Sequence, residues 1–225
     1  MLEAKKSKWF EKLFSFYNSN LLNRRFFLLK VNGLDILRAK PPKVPQIIFV
    51  NHSSWWDGIV CYRISTLLKL NSFIMMEEKQ LKKLLLFRKL GAFSVVRENP
   101  REALESVNYA ARLLKQDSER TLWIYPQGQI LPNHIRPVRF FHGLSKIIKK
   151  TDICRVVPMA IRYEFLGNYK PEIFVKVGEP RLLSDVKPNL VKNLTASFET
   201  SMSSLLDELN KNILTNNFND FDQII

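Results

Sequence analysis

The chain has 225 residues and an apolar fraction of 46%, which suits one globular domain with a sizeable core and excludes a disordered chain. Lysines and arginines number 35 against 21 aspartates and glutamates, so the formal net charge is +14. Such a charge favours partners that carry phosphate or carboxylate, whether nucleic acid, an anionic bilayer or an anionic substrate. Cys61 and Cys154 lie far apart without metal-ligand companions, so we expect two reduced core thiols of an intracellular protein.

The N-terminal residues combine cations with large apolar side chains. Residues 4–17 predict a basic amphipathic helix, and residues 24–29 continue the mixture. We expect residues 1–30 to be a membrane-interface segment on anionic lipid, because no stretch is long and apolar enough to span a bilayer and the lysines are atypical of a signal peptide. The alternative is a first helix packed on the core with solvated lysines. The apolar side chains of this helix are Trp9, Phe10, Leu13, Phe14, Phe16 and Tyr17.

Residues 31–225 alternate between predicted strands and helices, which indicates a single α/β domain with a mixed central sheet flanked by helices. The connection between 161 and 172 is too short for a crossover helix, so the strands it joins should be antiparallel. Residues 215–225 are expected to fray. The other expected elements are a strand pair over 31–38, a proline-rich connector over 41–45, strands over 46–50, 72–76, 92–96, 121–125, 155–161 and 172–177, and helices over 58–70, 81–90, from Pro100, 143–149 and 190–213.

A histidine and an aspartate follow the predicted buried strand at 46–50. Asn51, Ser53 and Ser54 are turn and N-cap formers, so the strand should end there and a helix begin. His52 and Asp57 then lie at the carboxyl end of a strand, where α/β sheets commonly carry their sites. If Asp57 accepts a hydrogen bond from one imidazole nitrogen, the other nitrogen is a candidate general base. The alternative is a surface turn with an incidental histidine.

Four stretches, in order, resemble the glycerolipid acyltransferases, the 1-acylglycerol-3-phosphate acyltransferase family. The first is His52 and Asp57 separated by four residues, and the second is a strand that leads to Arg97. The third, Tyr-Pro-Gln-Gly-Gln at 125–129, is similar to the family's usual Phe-Pro-Glu-Gly-Thr-Arg. The fourth is the apolar strand around Pro158. Four blocks in order, over roughly residues 45–180, are far more specific than any one of them.

Two residues of the third block depart from the family. Gln127, which we expect to contact the substrate, stands where the family has glutamate, which keeps the shape and loses a charge. Ile130 stands where it has arginine, which removes a bidentate phosphate ligand. Arg136, Arg139 and His142 on the same loop are candidate substitutes. The alternatives are that the two arginines are ordinary solvated cations or that the acceptor carries no phosphate there.

The resemblance implies an O-acyltransferase that moves a fatty acyl group from acyl-CoA or acyl-carrier protein to a lipid hydroxyl, with no metal or other cofactor. His52 would be the general base and Asp57 its orienting partner. Arg97 would contact the acceptor's phosphate, and backbone N–H groups near Gly128 are candidate oxyanion donors. We expect a peripheral protein on the cytoplasmic face of the cell membrane. The family's usual acceptor is a lysophosphatidic acid or a lysophospholipid, and the altered third block leaves a neutral glycolipid or a glycosylated isoprenoid as alternatives.

Two other classes of protein compete with this interpretation. A basic chain with interleaved aromatics suits a nucleic-acid-binding module, but the sequence contains no aromatic RNA-binding box and no zinc-finger spacing. We therefore expect no nucleic-acid partner. A catalytically silent acyltransferase homologue that binds lipid is the third possibility. Gln127 favours it, and the intact His52 and Asp57 argue against it.

Overall fold

The structure is a computed structural model that describes residues 1–39, 41 and 43–225. The proline-rich connector expected over 41–45 lies partly outside the described residues. The α-helices are α1 (Lys8–Arg25), α2 (Leu34–Arg38), α3 (Asp57–Leu67), α4 (Glu78–Lys83), α5 (Pro100–Gln116), α6 (Gly143–Lys150) and α7 (Val191–Leu214), with short 3-10 helices at Leu85–Leu90 and Pro188–Leu190. The strands are β1 (Leu29–Asn32), β2 (Gln46–Val50), β3 (Asn71–Glu77), β4 (Ala92–Val95), β5 (Arg120–Ile124), β6 (Ile153–Glu164), β7 (Glu172–Val177), β8 (Arg181–Ser184) and β9 (Phe221–Gln223).

Within the described parts of the chain, the strands form one mixed sheet in the order β4-β3-β5-β2-β6-β7-β1-β9. β8 lies outside this order and pairs with the first part of β6. The first five strands of this order run parallel to one another. The β6–β7 pair is antiparallel, as the short connection predicted. β2 lies at the centre between two parallel neighbours, so all five of its residues are buried. Its carboxyl end carries the histidine.

Helices cover both faces of the sheet because neighbouring strand residues point to opposite sides. Ile47 and Phe49 of β2 pack with α5, α6 and α7. Ile48 and Val50 pack with α1, α2 and α3. These two apolar layers confirm the predicted α/β fold with a central mixed sheet flanked by helices.

Helix α1 packs on the rest of the fold along one side. The Asn18 amide donates to the Ile59 carbonyl of α3, 3.0 Å away, and Phe14 packs edge-to-face on Tyr62, with 5.0 Å between ring centroids. The residues before α1 run along β4, where the Ser94 N–H donates to the Leu2 carbonyl. The N-terminal segment therefore contributes one face to the core and presents the other to solvent.

Glycine and capping residues set several element boundaries at their expected places. Gly91 ends the 3-10 helix at φ +98°, and a Cβ there would lie 2.5 Å from the Ser72 carbonyl oxygen, so only glycine fits. Asn99 caps α5 by accepting from the backbone N–H groups of Arg101 and Glu102. β4 and α5 consequently begin at Ala92 and Pro100, next to Arg97.

Three stretches differ from the sequence-based expectation. Residues 31–38 are not a strand pair, since Gly33 at φ +86° turns β1 into α2. The helix expected over 81–90 is divided between α4 and the 3-10 helix at Leu85–Leu90. The C-terminal end was predicted to fray, but β9 pairs with β1. Because β1 lies almost 200 positions before β9, no local pattern in the sequence predicts this edge pairing.

No helix in the described residues is long and apolar enough to cross a membrane.

Candidate functional site

His52 and Asp57 lie together at the carboxyl end of β2. Imidazole Nδ1 is 2.8 Å from carboxylate Oδ2 across the turn into α3. An ionised carboxylate only accepts, so Nδ1 carries a hydrogen, and in the neutral imidazole Nε2 then has the free lone pair. The His52 side chain is 22% exposed, and the residue lines a large cavity.

The Asp57 carboxylate is buried and held by several donors. Oδ2 also accepts from the backbone N–H groups of Ser53 and Ser54, at 2.8 and 2.9 Å. Oδ1 accepts from the Tyr163 hydroxyl at 2.7 Å. Asp57 is the first residue of α3, where the helix dipole favours a negative charge. The carboxylate is therefore fixed before any substrate binds.

Two tyrosines support the pair from opposite sides. The Tyr125 ring stacks on the His52 imidazole, with 4.4 Å between centroids, and its hydroxyl donates to Cys61 Sγ. Burial raises the pKa of Tyr125 well above its ordinary value. Burial and then the Asp57 carboxylate raise the pKa of Tyr163, which therefore remains a hydrogen-bond donor. Sequence reasoning missed Tyr163 because it lies 106 positions from Asp57.

Gln127 holds the backbone of the histidine. Its buried Oε1 accepts from the His52 N–H at 2.7 Å. The Leu131 N–H donates to the His52 carbonyl at 2.8 Å. The loop after β5 thus hydrogen-bonds to both the backbone N–H and the backbone carbonyl of His52. Gln127, expected to bind substrate, has a structural partner next to the candidate base.

Arg97 and Gly128 are in contact. A Cβ on Gly128 would lie 2.6 Å from Arg97 Nη1, and the φ of +68° also favours glycine. The Arg97 guanidinium lies over the Phe141 ring, 5.7 Å from its centroid, and 3.6 Å from the Glu77 carboxylate. The Gly128 N–H donates to the Tyr125 carbonyl, so it is already used within the turn. Gly128 therefore makes room for Arg97.

Arg136 and Arg139 are turned to α7 and are not among the residues that line the cavity. Arg136 Nη2 donates to Asp207 at 2.7 Å, and Nη1 donates to the carbonyls of its own loop. Arg139 lies 3.6 Å from Glu199 and is 76% exposed. Lys146, on α6, does line the cavity. Sequence reasoning missed Lys146 because one helical lysine carries no distinguishing signal.

The cavity beside His52 has a volume of about 750 Å³, which is within the range of ligand sites. Its apolar walls come from the edge of the sheet and from the helices on both faces, with Phe14, Phe73, Met75, Leu104 and Val107 among the side chains. The charged side chains Glu77, Arg97 and Lys146 also line it. The cavity thus combines mainly apolar walls with a few charged side chains.

Comparisons with known proteins agree with this architecture. Residues 29–162 match the Acyltransferase family. No curated protein matches the chain. The crystal structure of the 1-acyl-sn-glycerophosphate (LPA) acyltransferase PlsC from Thermotoga maritima has a similar fold, with a TM-score of 0.64 and 17% sequence identity over 89% of this chain and 79% of that one. The family match covers more than half of the sequence, in the same region as the four sequence blocks, and the chain belongs to the Acyltransferase family.

Proposed function

We propose that this acyltransferase transfers a fatty acyl group from a thioester donor, acyl-CoA or acyl-carrier protein, to a hydroxyl of a lipid acceptor. The observation that carries the proposal is the His52–Asp57 pair, with Nδ1 and Oδ2 2.8 Å apart, at the wall of an apolar cavity. The cavity accommodates an acyl chain because its walls are mainly apolar. His52 is one of the residues that line this cavity.

The proposed reaction begins when Nε2 of His52 removes the proton from the acceptor hydroxyl. The hydroxyl oxygen attacks the thioester carbonyl, the C–S bond breaks, and the leaving thiolate takes the proton from the His52 imidazolium, which restores the base. Asp57 stabilises the imidazolium during attack and keeps the ring in the productive orientation. Direct transfer is simpler than an acyl-enzyme through Ser53 or Ser54, because neither serine lies in a nucleophile elbow.

A lysophosphatidic acid or another lysophospholipid is our first choice of acceptor. Arg97 and Lys146 supply positive charge at the cavity wall, where a phosphate would gain charge-assisted hydrogen bonds. Two observations favour a neutral glycolipid or a glycosylated isoprenoid instead. Ile130 replaces an arginine of the family pattern, and Glu77 lies 3.6 Å from Arg97 and offsets part of its charge.

The test offers the purified chain a labelled acyl-CoA or acyl-carrier protein together with competing acceptors, and identifies the acylated lipid by mass spectrometry. We expect acylation of lysophosphatidic acid, and none with His52→Ala. Exclusive acylation of the neutral lipid would select the second candidate. Absence of turnover with every acceptor would favour a silent homologue.

We also propose that the protein lies on the cytoplasmic face of the cell membrane, through the outer side of α1 within the segment 1–30. Trp9 and Phe16 are 71% and 73% exposed on this side, and Lys8 and Lys12 are exposed beside them. An interfacial helix of this kind places aromatics among the headgroups and cations toward anionic lipid. The opposite side of α1 is packed on α3, so removing the helix would also damage the core.

Paired substitutions test this attachment better than truncation. Trp9→Ser with Phe16→Ser should weaken co-sedimentation with vesicles that contain phosphatidylglycerol, most clearly at low salt. The matched control is Leu190→Ser with Leu214→Ser, two exposed apolar residues on the other face of the sheet. Equal binding by both double variants would refute the proposed attachment through α1.

A further inference from the structure

The loop between β6 and β7 presents three large apolar side chains to solvent. We propose that this loop, residues 165–171, is a second membrane-insertion point that docks on anionic lipid together with α1. Phe165 is 70% exposed, Leu166 43% and Tyr169 87%. Single exposed apolar residues are ordinary, but three on one short loop mark an interaction surface.

The loop adjoins the carboxyl end of α1. Lys170 Nζ donates to the Asn23 carbonyl at 3.1 Å, and the Phe27 N–H donates to the Pro171 carbonyl at 2.9 Å. Phe27 is itself half exposed. The apolar loop thus continues the surface that begins with the exposed aromatics of α1.

The charges around the loop select anionic lipid as its partner. Arg24 and Arg25 at the end of α1 are exposed, and Lys170 lies 5.6 Å from the Tyr169 ring centroid. The acidic groups next to the loop already have hydrogen-bond partners within the protein. Glu164 accepts from Arg162 at 2.6 and 2.9 Å. Glu172 is buried and accepts from Asn168. Apolar side chains flanked by exposed cations suit an anionic bilayer better than water.

The start of the loop is connected through side-chain contacts to His52, the candidate general base. Tyr163, near the end of β6, donates to Asp57, and its ring lies 5.8 Å from Phe26. Phe26 contacts Trp56, which contacts Trp55 at the cavity wall. Docking of the loop therefore holds the cavity beside the lipid surface. This consequence rests on the proposed lipid acceptor, whereas the docking itself is measurable without turnover.

Site-specific labelling tests insertion directly. Cys61 and Cys154 are buried, so Phe165→Cys gives the full chain one reactive thiol for an environment-sensitive nitrobenzoxadiazole dye. Vesicles of phosphatidylcholine and phosphatidylglycerol should shift the emission to the blue, and pure phosphatidylcholine should shift it less. The same dye at Leu182→Cys, on β8, is the control and should not respond.

Unchanged emission at position 165 while the protein co-sediments would overturn the proposal and leave α1 as the attachment. A vesicle-independent shift that grows with protein concentration would assign the loop to a second copy of the chain, and would also overturn it.

A partition measurement gives the size of the effect. The triple variant Phe165→Ser, Leu166→Ser, Tyr169→Ser should bind anionic vesicles roughly ten- to hundredfold more weakly than the parent, because each apolar side chain loses its transfer into the interface. The control triple is Leu182→Ser, Leu190→Ser, Leu214→Ser, which removes three exposed leucines elsewhere. Equal partition of both triple variants would overturn the proposal.

Turnover of a short-chain, water-soluble acceptor should be retained in the loop variant. If the parent chain itself lacks that turnover, the proposed function fails while the partition result still decides the role of the loop.

Discussion

The backbone N–H of His52 donates a hydrogen bond to the side-chain oxygen of Gln127, 2.7 Å away. Gln127 occupies a position where the sequence departs from the pattern of its family, and the departure removes a charge. The contact to His52 requires only an oxygen acceptor, which glutamine and glutamate both provide. The missing charge is therefore compatible with a correctly held histidine.

Gln127→Glu should keep turnover close to that of the parent enzyme, whereas Gln127→Ala should lower it roughly five- to tenfold, because a buried N–H loses a hydrogen bond of about 1 kcal/mol. Steady-state kinetics of the Gln127→Glu and Gln127→Ala enzymes tests this expectation. Gln129→Ala, two positions along the same cavity-lining loop, is the control for general loop damage. Equal activity of the glutamate and alanine variants would show that this hydrogen bond is not needed.

His52→Ala should reduce kcat by about 10²–10⁴, the contribution of a general base. Asp57→Asn should also be severe, since it removes the charge that stabilises the imidazolium. Rates are compared at matched folded fractions, determined by near-ultraviolet circular dichroism. His134→Ala, another histidine of the chain, should be close to normal. Near-normal turnover of a well-folded His52→Ala enzyme would contradict the assignment of His52 as the general base.

Tyr163→Phe should lower kcat roughly tenfold and leave the acceptor's KM almost unchanged, because a hydrogen bond to a charged group contributes about 1.5–3 kcal/mol and part of that is kept by the remaining donors to Asp57. Tyr17→Phe, on the exposed side of α1, should change neither value. A fall in stability without any change in kcat would indicate a merely structural tyrosine.

Arg97→Ala should raise the KM of a phosphate-bearing acceptor roughly ten- to hundredfold, as expected for the loss of one charge-assisted hydrogen bond. Arg139→Ala should be mild, because that side chain is exposed and faces Glu199. Arg136→Ala should mainly lower stability, since this residue holds its own loop and Asp207. A large KM increase for Arg139→Ala would instead support the sequence-based hypothesis that a loop arginine replaces the missing phosphate ligand.

Neither cysteine should react with a thiol reagent at neutral pH in the folded protein. Burial raises the pKa of the Cys154 thiol to about 12 and that of Cys61 further, so both remain protonated far above neutrality. Since the thiolate is the reactive form, Ellman's reagent should detect both thiols only after unfolding in guanidinium. Rapid reaction of one thiol in the native protein would show that its packing opens on the time scale of the assay.

Local patterns in the sequence determined the α/β class and most element boundaries. The apolar run at 46–50, the helix start at Asn99 and the stop at Gly91 each depend on residues within a few positions, and the structure has all three. The proximity of His52 and Asp57 was also predictable, because a turn between them is enough to bring them together.

Only the tertiary structure decided what surrounds that pair. Tyr163 reaches Asp57, and Gln127 reaches the His52 backbone, because β6 and β5 flank β2 in the sheet. Sheet order places residues 75–106 positions apart within hydrogen-bonding distance, and no local periodicity records that order. The same reason explains β9, and it explains why Arg136 and Arg139 face α7 while Lys146 lines the cavity.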